Sequence, residues 1–253
     1  MIDNLYPGFT LLQFFETPVV PIPGCQSLRV IHKFEQNSVE YCYNSAGYRN
    51  PEFDIVQTDY ILVLGCSHTE GIGLPLEQTW VSKLQQMIGC SLVNLGKAGA
   101  GADFVAQNLQ NWLSVALPPR AVIIQWPNPC RAVHWNKGRA HFCHSMAADT
   151  LYKEKVMQGE ENFFLPWCSS IIQSNWVCKQ INVPVLNLCF ETPESVAPAL
   201  PILNQKGIDL HLDQKQPGLT WHFDSKAFDH AHHSEWCTEQ WAKRVLTLVK
   251  NVL

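Results

Sequence analysis

The feature that most constrains the fold is a series of short apolar runs alternating with segments of helical period. Residues 60–64 form a continuous apolar run ended by Gly65, which is typical of a strand buried on both faces of a parallel sheet. Further strands are predicted at 91–95, 121–125 and 183–189, and helices near 78–88, 103–117 and 166–180. A last helix is predicted at 235–252, capped by Ser234. Repeated βα units of this kind predict a parallel sheet covered by helices on both faces.

Two of the predicted helices carry an apolar face that we expect to pack against the sheet. In the first helix this face consists of Trp80, Leu84, Met87 and Ile88. In the last helix it consists of Trp241, Val245, Leu248 and Val249.

The first 58 residues differ from the rest of the chain. Prolines at 18, 21 and 23 interrupt them, and short β-prone stretches occur at 28–34 and 38–43. We therefore expect a small β-rich N-terminal extension over 1–58 and one α/β domain over 59–253. A loop-rich insert at about 131–166 is expected to overhang the site and shape it, because such residues concentrate on loops held by a rigid scaffold.

The composition is that of a folded globular protein, with 46% hydrophobic and 16% charged residues. A formal charge of −4 without a basic stripe argues against nucleic acid as a partner. No apolar run approaches the roughly 20 residues that span a bilayer, and Asp3 stands where a secretory signal would carry positive charge. The sequence therefore predicts a cytoplasmic protein without a membrane partner.

Ten cysteines are spread evenly along the chain, and no Cys-x-x-Cys pair occurs. A chain of 253 residues has a large core and does not need the disulfides that stabilise small secreted domains. We expect reduced, packed cysteines, with structural disulfides as the alternative.

Ligands of parallel α/β sheets bind beyond the carboxyl ends of the strands. The segments 65–71, 96–101 and 126–129 follow three predicted strands, so we expect them to share this rim. Ser67 lies in the first segment, on a tight turn that exposes its hydroxyl, as a nucleophile requires. A serine in an ordinary loop is the alternative.

The other two segments offer hydrogen-bond donors for an oxyanion. Gly99 can present a bare backbone N–H, although a plain βα turn would have the same sequence. The glycine spacing is not that of a dinucleotide site, and Lys97 is not followed by the Ser or Thr of a phosphate loop. Asn128 could donate its side-chain amide, or simply form a turn between two prolines.

A candidate base precedes the last helix. Asp229 lies three residues before His232, so its carboxylate can accept the imidazole Nδ1–H and stabilise the imidazolium that forms when Ser67 loses its proton. The alternative is a solvated histidine cluster at a helix cap.

Together these segments resemble the four sequence blocks of the SGNH (GDSL-like) hydrolases, in order and in position at strand ends. The resemblance covers about residues 43–250, including 43–49, which look like a segment preceding the catalytic domain in some of these proteins. It implies a flavodoxin-like three-layer α/β/α sandwich. It also implies a Ser67–His232–Asp229 triad and an oxyanion hole of Ser67 N–H, Gly99 N–H and the Asn128 amide.

Two positions depart from the family pattern. Cys66 replaces the usual Asp, and the third block reads Trp-Pro-Asn-Pro at 126–129 instead of Gly-x-Asn-Asp. Arg131 or His134 could supply the donor that the altered block lacks. The α/β-hydrolase elbow does not fit, because Thr69 occupies the position of its second glycine.

The expected function is a serine esterase that hydrolyses a carboxylic ester, such as an acetyl or sugar ester, with no cofactor or metal. The alternatives are an acyltransferase and a catalytically silent carbohydrate-binding relative. A metal site built from His141, Cys143, His144 and the histidines at 230, 232 and 233 is a further alternative, but the spacings fit no structural zinc pattern. The sequence does not indicate the oligomeric state.

Overall fold

The computed structural model describes residues 28–34, 37–136, 139–143, 161–191, 193–212 and 234–251. The chain begins with an antiparallel hairpin of β1 (Leu28–Phe34) and β2 (Asn37–Tyr43). The central sheet contains β3 (Tyr60–Leu64), β4 (Ser91–Asn94), β5 (Ala121–Trp126), β8 (Val185–Cys189) and β9 (Leu210–Leu212). A second antiparallel hairpin, β6 (Ala132–Asn136) and β7 (Arg139–Cys143), follows β5.

Seven α-helices are described. They are α1 (Ser67–Glu70), α2 (Trp80–Ile88), α3 (Ala102–Val115), α4 (Glu161–Gln180), α5 (Pro193–Val196), α6 (Leu200–Gln205) and α7 (Glu235–Val249). A 3-10 helix at Leu76–Gln78 leads into α2.

The five central strands are parallel and lie in the order β4-β3-β5-β8-β9. From β3 the chain crosses to β4 at one edge and then returns to β5 on the other side of β3. The strand order therefore reverses between β3 and β5, and a sheet of this kind opens a ligand crevice at that point, beyond the carboxyl ends of the strands.

Each face of the sheet has its own apolar core. On one face, alternate strand residues such as Leu62 and Ile124 pack with Trp112 of α3 and Trp167 of α4. On the other face, residues such as Ile61 and Ile123 pack with Trp80 of α2 and Trp241 of α7. Strands buried on both faces explain the continuous apolar runs. The predicted three-layer α/β/α fold with a central parallel sheet is confirmed.

The predicted strands are confirmed with bounds that differ by no more than two residues, and the predicted helices deviate more at their ends. Helix α2 begins at Trp80 because Thr79 caps it, accepting the Ser82 N–H at 3.3 Å. The expected burial of Met87 is wrong, since this side chain is 37% exposed and Val81 is buried instead. Helix α4 begins at Glu161 and contains Pro166, which the sequence predicts as the first residue.

Seven elements were not predicted: α1, the 3-10 helix, β6, β7, α5, α6 and β9. The expected insert is thus not wholly irregular, because its first part forms the β6–β7 hairpin. Strand β9 has only three residues, too few for a period to be read. Its pairing with β8 is a tertiary contact.

Two properties of the described part bear on the sequence predictions. Eight of the ten cysteines are described as free thiols, and Cys25 lies outside the described residues. None of the described helices is long and apolar enough to cross a bilayer.

Candidate active site

Ser67 lies at the start of α1, directly beyond the carboxyl end of β3. Cys66 precedes the helix in an extended conformation, and its carbonyl accepts the N–H groups of Thr69 (3.0 Å) and Glu70 (2.9 Å). Gly71 ends the helix at φ +81°, a left-handed conformation that favours glycine. Ser67 is 5% exposed, so this residue is buried and the expected exposure is not found. Its N–H has no acceptor among the described residues.

The segment after β4 is bound to the nucleophile turn. The Lys97 N–H donates to the Gly65 carbonyl at 3.0 Å, and the Asn94 side-chain amide donates to the Thr69 carbonyl at 2.9 Å. Gly96 permits this approach, because a Cβ at this position would lie 2.6 Å from the Glu70 nitrogen. The first two predicted segments therefore share one rim.

Gly99 lies in a turn closed by the Ala100 N–H, which donates to the Lys97 carbonyl at 3.1 Å. Its φ of +81° is left-handed, so the glycine is needed for its conformation as well as for close approach. In the described part of the chain its N–H has no acceptor.

The Asn128 side chain is oriented by its own loop. Its Oδ1 accepts the Cys130 N–H at 2.8 Å, which is the Asx turn that the sequence offers as an alternative to a catalytic role. Because this bond uses Oδ1 as the acceptor, the turn does not use the Nδ2 donor. The turn and the donor are thus compatible, and no described residue accepts a hydrogen bond from Nδ2.

Two buried indoles hold the start of this loop. Trp126 Nε1 donates to Asn187 Oδ1 at 2.9 Å, and Trp167 Nε1 donates to the Pro127 carbonyl at 2.8 Å. Asn187 also exchanges two side-chain hydrogen bonds with Asn175, at 3.0 and 3.1 Å. The Trp-Pro-Asn-Pro sequence therefore forms a fixed support at the end of β5, despite its departure from the family pattern.

Cys66 points into the protein. Its thiol donates to Gln125 Oε1 at 3.5 Å, and the Thr69 hydroxyl donates to the same oxygen at 3.0 Å. Gln125 and Cys66 are both buried. The position at which the family carries an acid is thus occupied here by a hydrogen-bonded thiol that faces the end of β5.

A buried charged cluster, Glu70, Lys97 and Arg49, lies beside the rim and was missed from the sequence as a group. The Glu70 carboxylate accepts the Ala98 N–H, and Lys97 Nζ donates to the Gly47 carbonyl at 2.8 Å. Burial lowers the pKa of Lys97, and the nearby Glu70 carboxylate opposes that shift. The cluster thereby joins the candidate nucleophile turn, the glycine segment and the chain that precedes the central sheet.

Arg49 is the outer member of this cluster. Its guanidinium donates to the carbonyls of Gly71 (2.5 Å) and Leu74 (2.7 Å) and lies over the Tyr41 ring, 4.3 Å from its centroid. Burial lowers the pKa of Arg49, and among the surrounding groups Tyr41 opposes the shift most. In the sequence, this contact of Arg49 is indicated only by the resemblance of residues 43–49 to a segment of some SGNH-like proteins.

The two suggested substitute donors lie just beyond Asn128. The Arg131 N–H donates to the Asn128 carbonyl at 3.0 Å, and its Nη1 is buried without an acceptor among the described residues. His134 lies in β6.

Asp229 and His232 lie outside the described residues, as do His144, His230 and His233. The structure does place the helix that follows them. The Ser234 hydroxyl caps α7 by accepting the Cys237 N–H at 3.4 Å, and the Thr238 hydroxyl donates to the Gln78 carbonyl at 2.7 Å. Within the described part of the chain, no group of three or more His, Cys, Asp and Glu side chains could hold a metal ion.

A small, mostly apolar pocket lies between α1 and the start of α7. His68, next to the candidate nucleophile, packs edge-on against Phe190, with the ring centroids 5.2 Å apart. The pocket is lined by His68, Gly71, Ile72, Leu74, Trp80, Phe190, Thr238 and Trp241. It brings the first turn of α7 and the nucleophile turn to the same cavity.

In sequence, the chain matches one family model and none of the curated proteins compared with it. A family model described as "Domain of unknown function (DUF6473)" matches residues 29–131. None of the curated proteins compared with the chain matches it in sequence.

Solved structures of low sequence identity share the fold. TesA is 15% identical, with a TM-score of 0.54 over 77% of this chain and 99% of its own. A member of the lipolytic protein G-D-S-L family from Veillonella parvula is 15% identical, with a TM-score of 0.50 over 76% and 99%. A carbohydrate esterase is 10% identical, with a TM-score of 0.50 over 90% and 84%. The chain has the SGNH hydrolase fold.

Proposed function

We propose that this protein is an SGNH-type serine esterase acting on a carboxylic ester of a small molecule or a glycan. Ser67 is the nucleophile, His232 the general base and Asp229 the residue that orients it. The Ser67 N–H, the Gly99 N–H and the Asn128 side-chain amide form the oxyanion hole.

One observation carries the proposal: Ser67 begins α1 at the reversal point of the sheet, between two neighbouring segments that present uncommitted donors. Gly99 follows β4 and Asn128 follows β5, the two strands that flank β3. Their N–H groups have no acceptor in the described part of the molecule. Donors preorganised in this way stabilise charge that develops on a carbonyl oxygen.

The position of α7 supports the role of His232. Thr238 in the first turn of α7 lines the same pocket as His68, so the start of this helix lies beside the nucleophile turn. His232 precedes the capping residue Ser234 by two residues. Two residues span at most about 7 Å, so the proposal assigns His232 a place within that distance of Ser234.

In the proposed reaction, His232 removes the Ser67 hydroxyl proton as Oγ attacks the ester carbonyl. The resulting oxyanion accepts hydrogen bonds from the three donors, and His232 returns the proton to the departing alcohol. Water activated by the same imidazole then attacks the acyl-enzyme and releases the acid. Asp229 stabilises the imidazolium in both steps.

The test is hydrolysis of a short-chain aryl ester, such as 4-nitrophenyl acetate, together with labelling by a fluorophosphonate. Ser67→Ala should abolish both without changing thermal unfolding, and Ser114→Ala on α3 is the matched control. His232→Ala should lose labelling, because the serine is then not activated. Retained turnover in Ser67→Ala would overturn the assignment.

A catalytically silent carbohydrate-binding protein or an acyltransferase is the second candidate, because the acid at position 66 is replaced by a thiol that faces Gln125. The active site of the structurally similar carbohydrate esterase is described as having "divergent catalytic and non-catalytic binding functions". Stoichiometric labelling of Ser67 argues against a silent site. Transfer of the acyl group to a sugar alcohol in preference to water would identify a transferase.

A further inference from the structure

The geometry points to Glu70 as a positioning residue that holds the Gly99 amide in place relative to Ser67. This inference rests on the proposed function, because it assigns Glu70 a role in the same oxyanion hole. Glu70 does not contact the reacting atoms in this scheme. It acts through the backbone of Ala98 and Gly99.

The hydrogen bonds around Gly99 carry the first step. Glu70 is fully buried, and its Oε2 accepts the N–H of Ala98, the residue before Gly99. On the other side of Gly99, the Ala100 N–H donates to the Lys97 carbonyl at 3.1 Å. The N–H groups on both sides of Gly99, those of Ala98 and Ala100, are therefore hydrogen-bonded. These two bonds restrict rotation of the backbone at Gly99 and hold its N–H in one direction.

The second step is that Glu70 and the proposed nucleophile Ser67 belong to the same short helix. Ser67 is the first residue and Glu70 the last residue of α1, a four-residue helix. The Glu70 N–H donates to the Cys66 carbonyl at 2.9 Å, which keeps the two ends of the turn in register. One helical turn therefore carries the nucleophile at one end and the acceptor that fixes the oxyanion segment at the other.

The third step is the charge of Glu70. A carboxylate makes a stronger hydrogen bond to a backbone N–H than a neutral acceptor does. Lys97 and Arg49 are buried cations, and burial lowers the pKa of both. The negative charge of Glu70 acts in the opposite direction and raises both pKa values. The Glu70 carboxylate therefore has two buried cations as neighbours, in addition to the Ala98 N–H.

A merely structural role would also make Glu70 important for folding, so the test needs a readout at the oxyanion segment. Glu70→Leu removes the acceptor and Glu70→Gln keeps a neutral one. Tyr60→Phe is the control for destabilisation. It removes the Tyr60 hydroxyl, which binds the Leu117 carbonyl and Trp112 Nε1 at the opposite end of β3. The measurements are NMR hydrogen exchange at Ala98 and Gly99, and kcat and KM for 4-nitrophenyl acetate.

We expect Glu70→Leu to speed Ala98 exchange about tenfold and to lower kcat at least about tenfold, with KM within about twofold. For Glu70→Gln, both the Ala98 exchange rate and kcat should lie between those of the wild type and Glu70→Leu. If Glu70→Leu does not fold, the Glu70→Gln variant alone tests the inference. Tyr60→Phe should leave kcat per folded molecule unchanged.

Unchanged Ala98 exchange in the Glu70 variants would overturn the inference, and so would a kcat loss no larger than that of Tyr60→Phe. Failure of the proposed function looks different: wild-type protein would neither hydrolyse the ester nor react with the fluorophosphonate. In that case the exchange measurement still decides whether Glu70 fixes the Ala98–Gly99 segment.

Discussion

The Cys66 thiol donates a hydrogen bond to Gln125 Oε1 at 3.5 Å, next to a second bond from the Thr69 hydroxyl to the same oxygen at 3.0 Å. The residue before the proposed nucleophile is therefore matched to a buried acceptor on β5. Because the acceptor is an oxygen, this environment suits a donor at position 66 and disfavours the carboxylate that the family pattern carries there.

Restoring the family residue should therefore destabilise this protein. In Cys66→Asp a buried carboxylate would face the Gln125 oxygen, and we expect the free energy of unfolding to fall by about 1–3 kcal/mol. Urea denaturation measures the change. Cys66→Ser keeps a donor and is the control. A Cys66→Asp variant as stable as the wild type would show that Gln125 does not present its oxygen to this position.

The role of Asn128 in its loop can be separated from its proposed role in the reaction. Asn128→Asp retains the oxygen that accepts the Cys130 N–H but replaces the amide donor by a second carboxylate oxygen. We expect kcat to fall by a factor on the order of 10² or more, because a donor to the oxyanion is lost and negative charge is added. Ester kinetics and thermal unfolding together test this, since unfolding should change little. Unchanged kcat would exclude Asn128 from the oxyanion hole.

Gly96 and Gly89 differ in what an added methyl group would meet. At Gly96 a Cβ would lie 2.6 Å from the Glu70 nitrogen and 2.7 Å from the Thr69 carbonyl carbon, so Gly96→Ala should push the glycine segment away from α1. At Gly89 an added Cβ would have no atom of the described residues within 4 Å. The loss of stability is then that of an alanine held in the left-handed conformation at φ +69°, roughly 1–2 kcal/mol.

We therefore expect both alanine variants to be less stable, but only Gly96→Ala to lose ester hydrolysis per folded molecule. Urea denaturation and kcat, compared at equal folded fraction, measure the two effects. Equal residual activity in the two variants would mean that the contact between the glycine segment and α1 does not matter for the site.

Cysteine reactivity should follow burial. Burial raises the pKa of Cys178 and of Cys189 to about 12, so at pH 8 only about one molecule in 10⁴ carries the reactive thiolate at either position. Cys42 is exposed. Iodoacetamide should modify Cys42 in the native protein and the two buried thiols only after unfolding, as measured by peptide mass spectrometry. Native labelling of Cys189 at the rate of Cys42 would contradict the packing at the end of β8.

The sequence predicted the parts of the fold that depend on local pattern. Apolar runs such as 60–64 predict buried strands because a strand covered on both faces has no polar side. The Ser234 cap predicts the start of α7, because a serine hydroxyl satisfies an otherwise unpaired N–H in the first turn. The short strand β9 carries no such pattern, and its pairing with β8 comes from chain-distant contacts.

At the site, the order of strands and segments along the chain predicts which segments meet, because the carboxyl ends of neighbouring parallel strands share one edge. The packing of strands and helices sets what lies beside these segments: the thiol of Cys66 against Gln125, the Asx turn of Asn128, and the Glu70 carboxylate on the Ala98 amide. These are contacts between residues 28 to 59 positions apart, or side-chain orientations within a loop. Their geometry depends on how the strands and helices pack, and residue type and spacing along the chain do not encode it.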